Sequence, residues 1–174
     1  MESIHSPLLF LRIPSSGDST GGGIVAYILQ PGDTGYDASV QHGLIAASAD
    51  QSGGIAWYNN STYTTTGATA TALGTGLANT DAIIANQGIV ATSYAAGLAR
   101  AYNGGGYTDW YLPSKDELNK LYIAKAFVGG FSTGYYWSSS EISSTSAWYQ
   151  NFGNGYQGSN GKSNTAGVRA VRAF

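Results

Sequence analysis

The pattern of apolar and polar residues predicts short strands in the first part of the chain. Ile24 to Leu29 is rich in β-branched and aromatic residues, which is typical of a buried strand. His42 to Ala47 and Ile55 to Tyr58 predict two more strands, separated by the turn-like residues 50–54. Residues 59–76 are nearly all Thr, Ser, Gly and Ala, so they predict a loop or an irregular strand.

Two helices are predicted in the middle of the chain. Asn79 to Gln87 predicts a short helix, with Asn79 or Thr80 as its N-cap because both side chains can accept a bond from a free backbone amide. Val90 to Tyr102 predicts a second helix, which the three glycines at 104–106 would end.

A capping box marks the start of a third helix. Ser114 can accept a bond from the Glu117 amide while the Glu117 side chain reaches back to the Ser114 amide. Leu118 and Leu121 follow at helical spacing, and Gly129 is expected to end the element.

Beyond Gly134 the chain predicts short strands joined by long loops. Seven aromatic residues lie between Gly134 and Val168 among Ser, Gly, Asn and Thr. Antibody paratopes share this composition, because tyrosine and tryptophan supply contact area at small entropic cost. A binding face and a loop-rich structural segment are both compatible with it. We expect Tyr149 and Tyr156 to be exposed, and four aromatic residues to lie in the core: Tyr136, Trp137, Trp148 and Phe152.

The last seven residues predict a terminal strand, Val168 to Phe174. Arg169 and Arg172 are three residues apart and would lie on opposite faces of it. Because a buried arginine needs a carboxylate partner, Glu141 and Asp109 are the predicted partners.

Length, charge and cysteine content narrow the class of protein. The 174 residues predict one domain, residues 23–174, preceded by an arm or attachment segment at residues 1–22 that is rich in Pro, Ser and Gly. The absence of cysteine excludes disulfides and cysteine-based metal sites, and a net charge of −2 argues against nucleic acid and anionic membranes as partners. No membrane-spanning segment or classical signal peptide is predicted.

Three short motifs resemble catalytic or nucleotide-binding sequences but lack the required context. Residues 130–134 match a nucleophile elbow, yet a helix precedes them, and neither His5 nor His42 follows the serine. Residues 153–158 match a dinucleotide motif without a following helix, and the glycine spacing before 161–163 does not fit a P-loop. The sequence therefore predicts no enzyme and no cofactor.

No metal site is predicted either. The acidic residues are scattered along the chain and no spacing matches a calcium loop. The alternative of a single calcium ion held partly by backbone carbonyls stays open.

Several blocks of the chain resemble one bacterial and phage family, which includes the C-terminal domain of collagen-like adhesins and has a C-type-lectin-like fold. The resemblance covers roughly Gly23 to Phe174. It implies an α+β fold of small twisted antiparallel sheets with two or three helices and long loops. It rests on residues 106–118, 136–141, 147–148 and 168–174, with earlier blocks at 23–28, 41–47 and 73–84.

The tail is also similar to the variable region of proteins diversified by retroelements, in which asparagine codons of a template are scrambled. A framework of the kind seen in such templates recurs at 137–141, 147–148, 150–152, Lys162 and 168–174. The positions between, within a candidate variable region 134–167, can each arise from an asparagine codon by changes at adenines. They are the candidate ligand-binding residues: Ser143, Thr145, Ser146, Tyr149, Gly153, Tyr156, Gly158, Ser159, Gly161, Ser163 and Ala166.

The resemblance implies a non-catalytic adhesin on a phage tail or a bacterial surface. Its partner would be a host-surface protein or glycan, other virion or surface proteins would attach through the arm, and relatives are commonly trimers. The tail lacks the basic face that binding of sulfated polysaccharide would need, since it offers only Lys162 besides its two arginines. It also lacks the acidic motif of calcium-dependent sugar binding. The alternative is a virion decoration or assembly subunit whose domain only packs against neighbours.

Overall fold

Two small sheets and three helices form the part of the chain that the computed structural model describes, residues 13–59, 61–88 and 93–174. The strands are β1 (Ser19–Thr20), β2 (Gly23–Ile28), β3 (Gly43–Ala46), β4 (Ser52–Ala56), β5 (Tyr135–Glu141), β6 (Ser146–Asn151), β7 (Gln157–Gly161), β8 (Thr165–Val168) and β9 (Val171–Ala173). The helices are α1 (Gly76–Gln87), α2 (Ala95–Ala101) and α3 (Lys115–Val128), and a 3₁₀ turn spans Gly104–Gly106.

The two sheets are almost entirely antiparallel. One has the strand order β1-β2-β3-β9, and the other has the order β4-β8-β5-β6-β7, with a single parallel pair between β5 and β8. Three helices and two small sheets make an α+β domain that is consistent with a C-type-lectin-like fold. This confirms the predicted fold class.

The prediction of one terminal strand, Val168 to Phe174, is wrong, because two strands, β8 and β9, occur there. β8 pairs with β4 in one sheet, whereas β9 pairs with β3 in the other. Between them the chain passes from sheet to sheet at Arg169 and Ala170, and the Ala170 carbonyl accepts a bond from the Ala47 amide. The sequence of residues 168–174 does not reveal such a crossing, since it contains no Gly or Pro that would mark a break between two strands.

The N-cap predicted for α1 is also wrong. Thr75 occupies that position, and Asn79 and Thr80 lie inside the helix, where they are buried. Their side chains bond other segments instead, because the Asn79 amide donates to the Ala70 carbonyl at 2.6 Å and the Thr80 hydroxyl accepts from the Leu112 amide at 3.1 Å.

Other element boundaries are close to those predicted. The strand predicted at Ile55 to Tyr58 begins earlier, so that β4 includes part of the expected turn at 50–54. α2 ends at Ala101, and its predicted start at Val90 lies outside the described residues.

The end of the predicted arm joins the fold. Residues 1–12 lie outside the described part of the chain, but Ser19–Thr20 pairs with β2 and the Gly17 amide donates to the Val25 carbonyl at 2.8 Å. An attachment role for residues 1–22 stays a prediction.

Most of the expected core aromatic residues are buried. Tyr136, Trp137 and Phe152 are inaccessible to solvent, as predicted. Trp148 is only half-buried, because its ring lies under the Lys115 ammonium, 4.9 Å from the ring centre, at the edge of α3 rather than in the core.

The capping box of α3 is confirmed and reaches beyond its own helix. Besides the reciprocal bonds between Ser114 and Glu117, the Glu117 carboxylate accepts a bond from the Gly74 amide at 2.9 Å. Glu117 is fully buried, and this desolvation raises the pKa of its carboxyl above the usual 4.5, although the backbone bonds from Ser114, Gly74 and Gly76 oppose the shift. The carboxylate thereby fixes the loop before α1 to the start of α3.

Because folding raises the pKa of Glu117, the folded protein binds a proton there more readily than the unfolded chain does. This contribution to stability is fully present below pH 4.5 and is lost as the pH rises through the folded pKa. Relative to Glu117→Gln, the wild type should therefore gain stability as the pH falls from neutrality towards 4.5, as measured by urea unfolding at each pH. A stability difference that does not change with pH would contradict this prediction.

Candidate ligand-binding surface

The hairpin of β6 and β7 forms one edge of the five-stranded sheet. Trp148 lies opposite Ser159, and Tyr149 lies opposite Gly158, so each pair points to one face of the sheet. The face with Trp148 packs towards α3, where the Gln157 amide donates to the Lys115 carbonyl at 2.8 Å. The other face continues onto Trp137 of β5, which lies opposite Tyr149.

Three tyrosines meet on this second face, at the end of the hairpin where β7 begins. The ring centres of Tyr135 and Tyr149 lie 4.9 Å apart and those of Tyr149 and Tyr156 lie 6.4 Å apart, with edge-to-face geometry in both pairs. Burial, together with the neighbouring phenols, raises the pKa of Tyr149, whereas Tyr156 is 61% exposed. We call Tyr135, Tyr149 and Tyr156 the tyrosine cluster.

Gly158 lies directly against the Tyr156 ring. A β-carbon on Gly158 would lie 2.6 Å from the Tyr156 ring, so any larger residue there would have to displace this exposed ring. The residues at positions 156 and 158 are therefore sterically coupled.

The opposite end of the hairpin is rich in hydroxyl groups. In the turn between β5 and β6, the Ser143 hydroxyl lies 3.3 Å from that of Thr145 and 2.8 Å from that of Ser146. Five residue steps along β6, about 17 Å, separate Ser146 from Asn151 beside the tyrosine cluster. The candidate residues thus surround both ends of one hairpin.

Lys162 is buried at the hydroxyl-rich end and joins three segments. Its backbone amide donates to the Thr145 carbonyl at 2.8 Å, and its own carbonyl accepts from the Trp57 amide at 3.0 Å. Its ammonium donates to the Thr64 carbonyl at 3.1 Å and forms a salt bridge with Glu141. The ammonium also lies 4.4 Å from the centre of the Trp57 ring.

Lys162, the tail's basic residue besides its two arginines, therefore cannot supply a basic contact to a ligand. Its side chain is 1% exposed and the Glu141 side chain is 0% exposed. The exposed groups of the tail between Gly134 and Val168 are consequently uncharged.

The predicted arginine partners are half correct. Arg172 pairs with Asp109 at 2.7 Å, and this guanidinium holds the pKa of Asp109 below its usual value. Arg169 pairs with Asp50, not with Glu141, whose partner is Lys162. The correct pairing depends on the crossing between the two sheets.

The eleven candidate residues differ in exposure. Gly158 and Ala166 are buried, and Ala166 packs in the core on β8, opposite Ile55, so a ligand reaches neither position directly. Ser146, Tyr149 and Gly161 are half-buried. The exposed ones are Ser143, Thr145, Gly153, Tyr156, Ser159 and Ser163.

Sequence reasoning missed Tyr58 and Tyr63, which lie beside the turn between β7 and β8. Their rings stack with centres 4.8 Å apart and planes 9° apart. The Trp57 amide, just before Tyr58, donates to the Lys162 carbonyl, and the Lys162 ammonium donates to the Thr64 carbonyl, just after Tyr63. The two tyrosines lie about 100 residues before Ser163 in a stretch dominated by Thr, Ser, Gly and Ala, so no local pattern connects them with the tail.

The residues considered for catalysis have structural neighbours. The His42 ring bonds the Phe174 carbonyl at 3.1 Å, and His5 lies outside the described residues. Ser132, in the elbow-like motif, lies 3.3 Å from the Tyr136 hydroxyl, which donates to Asp50.

Within the described ranges, no group of three or more His, Cys, Asp or Glu side chains is arranged to hold a metal ion. Among these same residues, no helix has the length and apolar character needed to cross a membrane.

Comparison with known proteins assigns the family. No curated protein matches the chain. The family model of the Lcl C-terminal domain matches residues 46–172, which includes all three helices, both ends of the hairpin and the Lys162–Glu141 pair. This type of domain is lectin-like and adhesin-like and is not a known enzyme family, which agrees with the resemblance seen in the sequence. The chain belongs to the Lcl C-terminal domain family.

Proposed function

We propose that this protein is a non-catalytic adhesin that binds a ligand on the host surface through the hairpin of β6 and β7. The observation that carries the proposal is the tyrosine cluster, in which two exposed rings flank the half-buried Tyr149 on a framework of buried residues. Tyrosines held in this way offer a large contact area and lose little side-chain entropy on binding. Loops presented by a rigid scaffold are also where recognition residues concentrate.

The proposal includes diversification of the surface by a retroelement. Six of the eleven candidate positions are exposed, whereas the framework residues Trp137, Glu141 and Lys162 are buried. A fold that separates changeable surface from constant core in this way tolerates substitution at the surface, because surface changes away from special contacts cost little stability. A display site on a phage tail or a bacterial surface, reached through residues 1–22, completes the proposal.

Related copies of the gene test the diversification. They should differ mainly at the exposed candidate positions, and a reverse-transcriptase gene with a near-identical template should lie nearby. Differences spread evenly over the surface, with no such gene, would favour the alternative of a decoration or assembly subunit.

Adsorption to cells tests the binding itself. The double substitution Tyr149→Ala and Tyr156→Ala should weaken adsorption of the labelled protein to a panel of bacterial strains by about tenfold or more, because central aromatic residues carry much of the energy of an interface. Tyr36→Ala is the matched control, since Tyr36 is 40% exposed in a different part of the molecule. Unchanged adsorption by the double variant, at an unchanged melting temperature, would overturn a binding role for the cluster.

A further inference from the structure

One buried ion pair, between Glu141 and Lys162, joins the end of β5 to the turn after β7. The Lys162 side chain is 1% exposed and the Glu141 side chain is 0% exposed, and the ammonium is in direct contact with a carboxylate oxygen. The centre of the Trp57 ring lies 4.4 Å from the ammonium. Because two charges are costly to remove from water even when they are paired, a reaction that removes both charges is favoured more here than in solvent.

The surrounding backbone holds both groups of the pair in place. Both carboxylate oxygens of Glu141 accept from the Thr66 amide, at 3.0 and 2.9 Å, and one accepts from the Gly67 amide at 3.1 Å. The Lys162 ammonium donates to the Thr64 carbonyl at 3.1 Å. Two groups that folding fixes in contact react as if they were at very high concentration, because the entropy of bringing them together has already been lost.

We propose that Lys162 and Glu141 condense to form an amide bond between their side chains. A proton first passes from the ammonium to the carboxylate, which gives a neutral amine and a carboxylic acid. The amine nitrogen then attacks Cδ of Glu141, and the Thr66 and Gly67 amides stabilise the negative charge that develops on the carboxyl oxygen. The bond from Cδ to the hydroxyl oxygen breaks, and the hydroxyl leaves as water with a proton from the nitrogen. The products are one neutral amide and one water molecule, so no oxidant or cofactor takes part.

This bond closes a covalent loop around the hairpin that carries the candidate binding residues. Residues 142–161 form the loop and include β6, β7 and two members of the tyrosine cluster, Tyr149 and Tyr156. The chain has no cysteine, so a disulfide cannot serve the same purpose. As a disulfide does, the amide restricts the unfolded chain and so opposes unfolding of the hairpin. The framework then stays closed whichever residues occupy the candidate positions.

The ion pair is the state of the newly folded chain, before the bond forms. Thr64, Thr66 and Gly67 bond the pair through backbone groups, which neither take up nor release protons at neutral pH. The carboxylate that receives the proton is therefore also the group that is attacked, and we expect the reaction to be slow. Freshly folded protein accordingly contains the ion pair, and stored protein contains the amide.

Mass spectrometry of the full chain tests the bond. After several days of storage below its melting temperature, most of the folded wild type should weigh less than its sequence predicts by the mass of one water molecule. Trypsin needs a free lysine side chain, so the digest should contain residues 126–169 as one peptide, also lighter by one water. Without the bond, trypsin cleaves after Lys162 and gives the separate peptides 126–162 and 163–169. Cleavage after Lys125 shows that the digestion is complete.

Lys162→Arg is the matched control, because it keeps a positive charge on a guanidinium that does not lose its proton and so cannot attack the carboxyl. This variant should keep the mass that its sequence predicts. A stored wild type of unchanged mass that is cleaved after Lys162 would overturn the proposal and leave an ion pair only. Loss of one water in Lys162→Arg as well would also overturn it, since the reaction would then lie elsewhere in the chain. Either result leaves the adhesin proposal intact, because adsorption to cells tests the tyrosine cluster and not this pair.

Discussion

Replacing Lys162 with methionine should lower the free energy of unfolding by about 3–5 kcal/mol, because removal of one partner leaves a buried charge without compensation. The Glu141 carboxylate, which is 0% exposed, would keep its bonds from the Thr66 and Gly67 amides but lose the ammonium that pairs with it. The Thr64 carbonyl would lose its bond from the ammonium as well. Urea unfolding of the wild type and the variant measures the change.

The double variant Glu141→Gln with Lys162→Met is the control for this substitution. It removes both charges, so it should recover much of the stability lost by Lys162→Met alone. If the single and double variants were equally unstable, the loss would come from packing around Trp57 and not from the charge. A single variant as stable as the wild type would contradict the buried pair itself.

The same substitution has a local consequence for the surface. The amides of Thr66 and Gly67 donate to Glu141, and the ammonium holds the Thr64 carbonyl. Hydrogen exchange at Thr66 and Gly67 should therefore become faster in Lys162→Met by more than at the helical amides of α3. This would connect the buried pair with the position of Tyr63.

The parts of the fold that local sequence determines were predicted correctly. α3 begins at its capping box and ends before Gly129, because both signals lie within a few residues of the backbone groups they satisfy. The start predicted for α1 was wrong for the opposite reason, because a distant partner decides what its side chains bond. Asn79 has the chemistry of a cap, but its partner, the Ala70 carbonyl, comes from a loop that only the fold brings near.

In the candidate site, too, features that depend on nearby residues were predicted, and features that depend on distant segments were not. Composition identified the aromatic tail, and Tyr156 is exposed as predicted. The exposure predicted for Tyr149 was wrong, because this residue is half-buried against the rings of Tyr135, Trp137 and Tyr156. The burial of Lys162 depends on Glu141, Thr64 and Trp57, which three different segments supply. The site's charge therefore could not be derived from the tail alone, and neither could its extension to Tyr63.

Arg169→Met should be the other severely destabilising change, costing about 3–5 kcal/mol. The Arg169 side chain is 0% exposed and pairs with Asp50 at 2.7 Å. Its guanidinium also donates to three backbone carbonyls and lies 3.9 Å from the centre of the Phe131 ring. Those carbonyls are Ala47 at 3.0 Å, Gly129 at 3.2 Å and Gly130 at 2.6 Å.

Arg172→Met provides the matched control, because it removes the same type of side chain three residues away. The partner of Arg172, Asp109, is 51% exposed, so its carboxylate can be hydrated once the arginine is gone. A loss of about 1 kcal/mol is expected there, as for other ion pairs open to solvent. Urea unfolding of both variants decides the matter. Equal losses of unfolding free energy in the two variants would mean that the crossing between the two sheets does not depend on the buried guanidinium. A much larger loss for Arg169→Met would show that this one side chain joins the loop after β3, the end of α3 and the last two strands.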